Sequence, residues 1–195
     1  MSENSSSITA DKLVHESLWV SSFNEFKSLR VVIFCGMMCA VAVILSYVAS
    51  FNIGNYIKIG ISGIPNQVVA YLFGPAIGGI FGGVLDIVKF IVKPDGAFFP
   101  GFTISAILGG VIYGRLLYKK PVSFLRIFLT MLLIKVVVNI GLNTLWLMML
   151  YGYGLFAILP ARIISNAVML PIDSTICFII LKAAEKSIKP LFMNK

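Results

Sequence analysis

Between Val31 and Phe51 the chain runs for 21 residues without a charged side chain. A hydrocarbon core about 30 Å thick takes about 20 apolar residues per helical crossing, so this run has the length of one membrane span. Comparable stretches follow, separated by short segments rich in Gly, Pro and basic residues. Inside a bilayer no water satisfies exposed backbone groups, and a helix satisfies them within its own segment. The fold expected is therefore all-α, a helical bundle embedded in the membrane. Composition agrees, with 58% hydrophobic and 12% charged residues in a chain of 195 and a mean hydropathy of +0.96. That length holds roughly five or six spans and no soluble catalytic domain besides.

Six transmembrane helices are predicted, the first over Val31–Phe51. The apolar run from Ile61 to Val92 is too long for one crossing and is expected to form two shorter helices parted at "FGPAIGG", where Gly74 and Pro75 favour a turn. Phe102–Tyr118, Phe124–Leu150 and Leu155–Leu181 supply the remaining three. A net charge of +8 would suggest nucleic acid in a soluble protein, but here it sorts by side of the membrane. Lys12, Lys27, Arg30, Arg115, Lys119, Lys120, Arg126, Lys182, Lys186, Lys189 and Lys195 fall on one side; Lys58, Lys93 and Arg162 fall on the other. The positive-inside bias makes the first side, with both termini, cytoplasmic. No nucleic-acid partner is expected. Residues 1–30 read as a cytoplasmic tail and interfacial segment, in which Trp19, Phe23 and Phe26 can share one side of a helix at the headgroups. Residues 31–185 read as the transmembrane domain and 186–195 as a second cytoplasmic tail. Cys35, Cys39 and Cys177 lie inside apolar runs without disulfide or metal-ligand spacing, so neither a disulfide nor a metal is expected.

The three outer connections carry the unusual chemistry: "NIGNYIKIGISGIPNQ", "KPDGAFFPG" and "YGYGLFAILPAR" are rich in Gly, Pro and aromatics, whereas the inner ones are mainly short and basic. A site facing outward is expected. Charges within spans are expensive, about 2.5–3.5 kcal/mol each at a helix centre, so each needs a reason. Asp86 and Lys89, three residues apart, can pair along one helix face. Lys135 and Asp173 sit at similar depth in the fifth and sixth spans and can neutralise each other; the other reading makes such charges ligand contacts. A proton relay is not expected, because the one histidine, His15, lies in the tail.

Asn139, Asn143 and Trp146 in "NIGLNTLWL" lie about one turn apart and can face the same way. Two carboxamides beside an indole suit a flat heteroaromatic ligand, and they equally suit hydrogen bonds between helices. Arg162, just after Pro160, can fork onto a carboxylate or snorkel to the headgroups. Phe98 and Phe99 offer stacking surfaces or an interfacial aromatic belt. Small residues four apart, Gly36 with Ala40, Ala42 with Ser46, Gly78 with Gly82, Gly79 with Gly83 and Gly110 with Gly114, allow close helix approach in lipid.

The stretch "LFGPAIGGIFGGVLDIVKFIVKPDGAFFPGFTISAILGGVIYGRLLY", followed by "NTLWLMMLYG" and "PARIISNAVMLPI", resembles the substrate-binding S components of energy-coupling factor (ECF) vitamin transporters, and among them the folate branch. The resemblance implies a six-helix subunit in the bacterial cell membrane that binds folate with high affinity from outside. It also implies a transmembrane coupling protein and two ATPase subunits as partners, with the S component toppling in the membrane to deliver its ligand. ATP is then used by the partner ATPases, and no cofactor is expected in this chain, which has no G-x-x-x-x-G-K-[ST] phosphate loop. An Ala-x-x-x-Ala pattern on the first helix is the family's usual contact with the coupling protein; the nearest stand-ins are Gly36, Ala40, Ala42 and Ser46.

The function expected is thus a non-catalytic folate-binding transport subunit. Its ligand is placed among Asn139, Asn143, Trp146, Arg162, Phe98, Phe99, Asp86 and Lys89, under a lid that includes the FFPG corner with Gly96 and Gly101 as hinges. The alternatives are an S component for another vitamin, a small intramembrane enzyme, or an autonomous channel or secondary transporter. An enzyme would need a Ser/His or His/Glu set at membrane depth, and every Glu lies outside the spans.

Overall fold

The computed structural model describes residues 19–23, 25–26, 28–48, 50–53, 57–60, 62–94, 96–152 and 154–188. His15, Lys12, Lys27, Lys189, Lys195 and most of the two expected tails lie outside them, as does the side chain of Lys58. Helix α1 spans Leu29–Val48. Strands β1, Ser50–Ile53, and β2, Ile57–Gly60, pair antiparallel with Ser50 opposite Gly60. Four longer helical elements follow: α2, Ile64–Val92; α3, Pro100–Leu117; α4, Phe124–Tyr151; and α5, Leu155–Ser187. Among the described residues, five helices are long and apolar enough to cross a membrane.

Two expectations are corrected at the start of the bundle. The first helix does not reach Phe51; it stops at Val48, and the next residues enter a hairpin that the all-helical reading omitted. Asn66 and Gln67, expected in a loop, belong to the first turns of α2, whose Pro65 sits where a missing N–H costs nothing.

Helix α2 reverses direction at Gly74. Its φ of 89° and ψ of −172° lie in a region open essentially to glycine alone, and Pro75 follows with no N–H to continue the ladder. A methyl group added to Gly78 would stand 2.7 Å from Ala70 Cβ, and one on Gly82 would stand 3.2 Å from Asn66 Nδ2. Residues 75–92 therefore run back along residues 64–73 as a helical hairpin, broken where the sequence predicts.

The returning arm packs on α3 backbone to backbone. A methyl on Gly82 would come 2.5 Å from the carbonyl oxygen of Ala106, one on Gly114 2.5 Å from Pro75 Cα, and one on Gly110 would overlap the carbonyl of Gly78. Those pairings run in opposite order, so the helices are antiparallel, and the glycines at four-residue spacing are the contact itself. The other ridge, Gly79 and Gly83, receives the side chains of Val111 and Ile107. A core of Val69, Phe73, Ile77, Ile127 and Leu181 closes around them.

The segment before α1 docks on the Gly74 turn. Ser22, fully buried, donates its hydroxyl to the Phe73 carbonyl at 2.6 Å and accepts from the Ile77 N–H at 3.3 Å. The helical ladder is interrupted at Gly74 and Pro75, and this one hydroxyl bridges the two sides of the break. Beside it the Tyr118 hydroxyl donates to Glu25 Oε1 at 2.7 Å, and Lys119 donates to Ser21 Oγ at 2.8 Å. Burial raises the Glu25 carboxyl above its usual range, against the opposing pull of the Tyr118 hydrogen bond and the Lys119 charge. Phe23 and Phe26 stay exposed on the outer side of the segment.

Helix α4 is not uniform. It is α-helical to Ile134, opens into a π-helix over Lys135–Leu142, and resumes as α-helix over Asn143–Tyr151. It ends at Gly152, left-handed at φ 68°. Wide turns of this kind cluster where helices carry function, and this one holds Lys135 and Asn139.

Candidate ligand-binding site

A cavity of about 320 Å³ opens between α2, α3, α4 and α5 in the half of the bundle nearest the β-hairpin. That volume lies at the lower end of the range of small-molecule sites. Helix α2 contributes Asn66, Gln67 and Asp86; α3 contributes Phe102, Ser105, Gly109 and Tyr113; α4 contributes Met131, Lys135, Asn139 and Asn143; α5 contributes Asp173. The polar lining comes from both ends of the α2 hairpin because the reversal at Gly74 brings Asn66 back beside the arm that carries Asp86.

Hydrogen bonds fix most of that lining. Lys135 Nζ lies 2.7 Å from Asp173 Oδ2, with side-chain exposures of 11% and 19%, so the two charges neutralise each other in the wall, the pairing the sequence favoured. Thr103 donates to Asp86 Oδ2 at 2.8 Å, and Gln67 Nε2 donates to the Tyr113 hydroxyl at 3.1 Å. Three carboxamide oxygens remain: Asn66 Oδ1, Gln67 Oε1 and Asn143 Oδ1 are buried without a hydrogen-bond partner among the described residues. Buried unpaired acceptors are costly. Three of them around one cavity present an acceptor-rich wall to whatever enters.

The residues singled out from sequence divide into three groups. Asp86, Asn139 and Asn143 line the cavity. Trp146, Phe99 and Arg162 stand one layer behind it: Trp146 Nε1 donates to Ser105 Oγ at 3.0 Å, the Phe99 ring lies 5.6 Å from the Trp146 ring, and Arg162 Nη2 donates to the Asn139 carbonyl at 3.1 Å. Phe98 and Lys89 stand apart from the lining. Phe98 is half exposed and packs on Phe90 at 5.0 Å, while Lys89 donates to the Ser62 carbonyl at 2.7 Å. The expected Asp86–Lys89 pairing is replaced by Thr103 and Ser62, which reach these groups from a neighbouring helix and from the turn before α2.

Two further expectations change. Gly101 is not a hinge: it is helical and buried, and a methyl there would stand 2.5 Å from the Trp146 ring and 2.6 Å from Phe99, so its lack of a side chain admits those two rings. Gly96 does turn the chain, at φ 106°. On α1, Ala42 and Ser46 are buried within the chain, whereas Gly36 and Ala40 are open to the outside with Ile33 and Met37 around them. The sequence reading did not single out Ser105, Gln67, Tyr113 or Asn166. Ser105 and Tyr113 carry a usable signal, polar groups eight residues apart on one face of an apolar helix.

A polar cavity buried among the helices of a multi-pass membrane bundle is the architecture of a small-molecule binding site. Residues 30–181 match the family described as ECF transporter, substrate-specific component, and the chain belongs to that family. It is 35% identical over 152 residues to the folate transporter FolT of Clostridium novyi (strain NT), covering 78% of this chain and 88% of that one. It is 28% identical over 159 residues to FolT of Leuconostoc mesenteroides, covering 78% and 84%. A FolT crystal structure bound with folic acid superposes with a TM-score of 0.72 at 34% identity, covering 77% of this chain and 93% of that one.

Proposed function

We propose that this chain is the folate-binding subunit of an ECF importer. Folate enters from the side bearing the β-hairpin, and the chain delivers it inward together with a transmembrane coupling protein and two ATPases that use ATP. The observation that carries this reading is the likeness, 34% identical over most of its length, to the FolT chain crystallised with folic acid. The cavity chemistry supports it. The pterin ring of folate presents an amino group and a ring N–H along one edge, and Asn66, Gln67 and Asn143 offer three acceptors without donors. Phe102 adds a ring face to the same wall.

The topology proposed has six crossings, with the α2 hairpin counted as two, and both termini in the cytoplasm. In that arrangement Arg115, Lys119, Lys120, Arg126, Lys182 and Lys186 share the inner end of the bundle. Gly36 and Ala40 on the open face of α1 are the proposed contact with the coupling protein.

Binding of folate and of unrelated vitamins to the purified protein tests the ligand assignment. Saturable folate binding with no response to the others is expected. Tight binding of a different vitamin alongside indifference to folate overturns the folate assignment and leaves the family membership intact.

A further inference from the structure

Asn139 is the most heavily hydrogen-bonded residue in the cavity wall. Its main-chain carbonyl accepts from Arg162 Nη2 at 3.1 Å and from the Thr144 hydroxyl at 3.5 Å. Its Nδ2 donates to Asn166 Oδ1 at 3.3 Å, and its Oδ1 accepts from Asn143 Nδ2 at 3.3 Å. Asn166 is in turn tied to its own helix, donating Nδ2 to the Arg162 carbonyl at 2.8 Å. Neither Arg162 nor Asn166 lines the cavity; both reach Asn139 from α5, one turn apart on one face.

The π-helix makes this possible. In an α-helix the Asn139 carbonyl would be taken by the N–H four residues on, that of Asn143. Here the Asn143 N–H bonds the Val138 carbonyl, five residues back, and the Asn139 carbonyl meets the guanidinium. The bonds then set a direction. Asn166 fixes Asn139, and Asn139 occupies the nitrogen of Asn143. The Asn143 oxygen is left buried, unpaired and in the cavity wall.

We infer that Arg162 and Asn166 are positioning residues for the ligand: bonded to Asn139 across the π-turn of α4, they aim the carboxamide oxygen of Asn143 at it. Arg162 thus acts through α4 instead of capturing a ligand carboxylate, the role its sequence position suggested. The choice of probes below rests on the folate reading; the clamp itself does not.

The test uses full-length protein in lipid nanodiscs, with folate, pteroate (the same rings without the glutamate) and 2-deaminofolate (without the pterin amino group). Arg162→Gln and Asn166→Leu should each weaken folate and pteroate by the same factor, roughly tenfold, as expected for a lost charged or buried hydrogen bond. Both should erode the preference for folate over 2-deaminofolate, and Arg162→Lys should restore most of it. In a double-variant cycle, Arg162→Gln should add nothing to Asn143→Ala. Loss of folate binding with pteroate untouched would overturn the inference, because the guanidinium would then be gripping the glutamate. Additive losses in the cycle, or unchanged affinities, also overturn it. Should Arg162→Gln not fold, Asn166→Leu carries the same cycle. If the unmodified protein ignores folate and binds another vitamin, the folate assignment fails, and the cycle run with that vitamin decides the clamp.

Discussion

The indole Nε1 of Trp146 donates to Ser105 Oγ at 3.0 Å, which ties α4 to α3 across the wall of the cavity. Ser105 lines the cavity and is almost fully buried, so the indole sets where that hydroxyl points. Trp146→Phe keeps a ring against Phe99 and Gly101 while removing the donor. Ligand affinity should fall by about threefold to tenfold because the Ser105 hydroxyl loses its fixed direction, and the lost internal bond should lower stability by about 1 kcal/mol. Titration of the purified variant checks this, and an unchanged affinity would remove Trp146 from the site.

Lys135 and Asp173 make a different prediction because their pairing is electrostatic and deep. Removing one partner leaves an uncompensated charge, which costs about 3–5 kcal/mol, whereas replacing both with apolar residues is often neutral. Asp173→Leu alone should therefore cripple folding, and Lys135→Met with Asp173→Leu should recover the unfolding midpoint in lipid. Ligand binding by the recovered double variant reads the second role: affinity lost at normal stability would mean that the pair also touches ligand.

What the sequence disclosed, and what it withheld, follows from range. Span lengths are local, so "FGPAIGG" marks the reversal and the glycine pairs mark the α2–α3 contact before any coordinates. Depth is also nearly local, since a residue count from the span ends puts Lys135 and Asp173 at one level. Partner choice is not. Nothing in the sequence says that Thr103 answers Asp86 or that Ser22, 51 residues away, answers Phe73. The π-turn is equally silent, because nothing in "KVVVN" distinguishes a π-turn from an α-turn, and the Arg162 guanidinium that meets the Asn139 carbonyl there comes from another helix. Trp146 and Arg162, which the sequence suggests as ligand contacts, stand one layer behind the cavity lining, bonded to Ser105 and to the Asn139 carbonyl.

Ser22 has a testable weight. Ser22→Ala removes two hydrogen bonds that bridge a buried turn, to the Phe73 carbonyl and from the Ile77 N–H, and their loss should cost about 1–3 kcal/mol in all. Ligand affinity should hardly change, since the turn lies at the opposite end of the bundle from the cavity. Glu25 next to it supplies a pH signature. Its carboxyl is raised in the folded protein, so its contribution is fullest with the proton on, below the unfolded value, and fades as pH rises through the folded one. Thermal unfolding measured across that acidic range should steepen for the native chain and flatten for Glu25→Gln.

The coupling contact proposed for the open face of α1 predicts that binding and coupling can be separated. A methyl on Gly36 would meet nothing within 4 Å, so bulk added there leaves the chain's own packing alone. Gly36→Leu with Ala40→Leu should keep full ligand affinity while abolishing co-purification with the coupling module and vitamin uptake. If uptake persists, the contact lies on another face.

Two adjacent glycines of α3 should fail in opposite ways. Gly110 abuts the Gly78 carbonyl so closely that a methyl would overlap it. Gly110→Ala must push the helices apart, and overpacking of that kind costs about 1–3 kcal/mol or more. Gly109 is one residue, or about 100°, further round the helix, where a methyl meets nothing within 4 Å and the neighbouring space is the cavity. Gly109→Val should therefore leave the unfolding midpoint near that of the native chain while its methyls occupy ligand volume, with affinity falling at least tenfold. Midpoint and affinity measured side by side for the two variants should cross over. A Gly109→Val protein that binds normally would mean that the cavity beside α3 is not where the ligand sits.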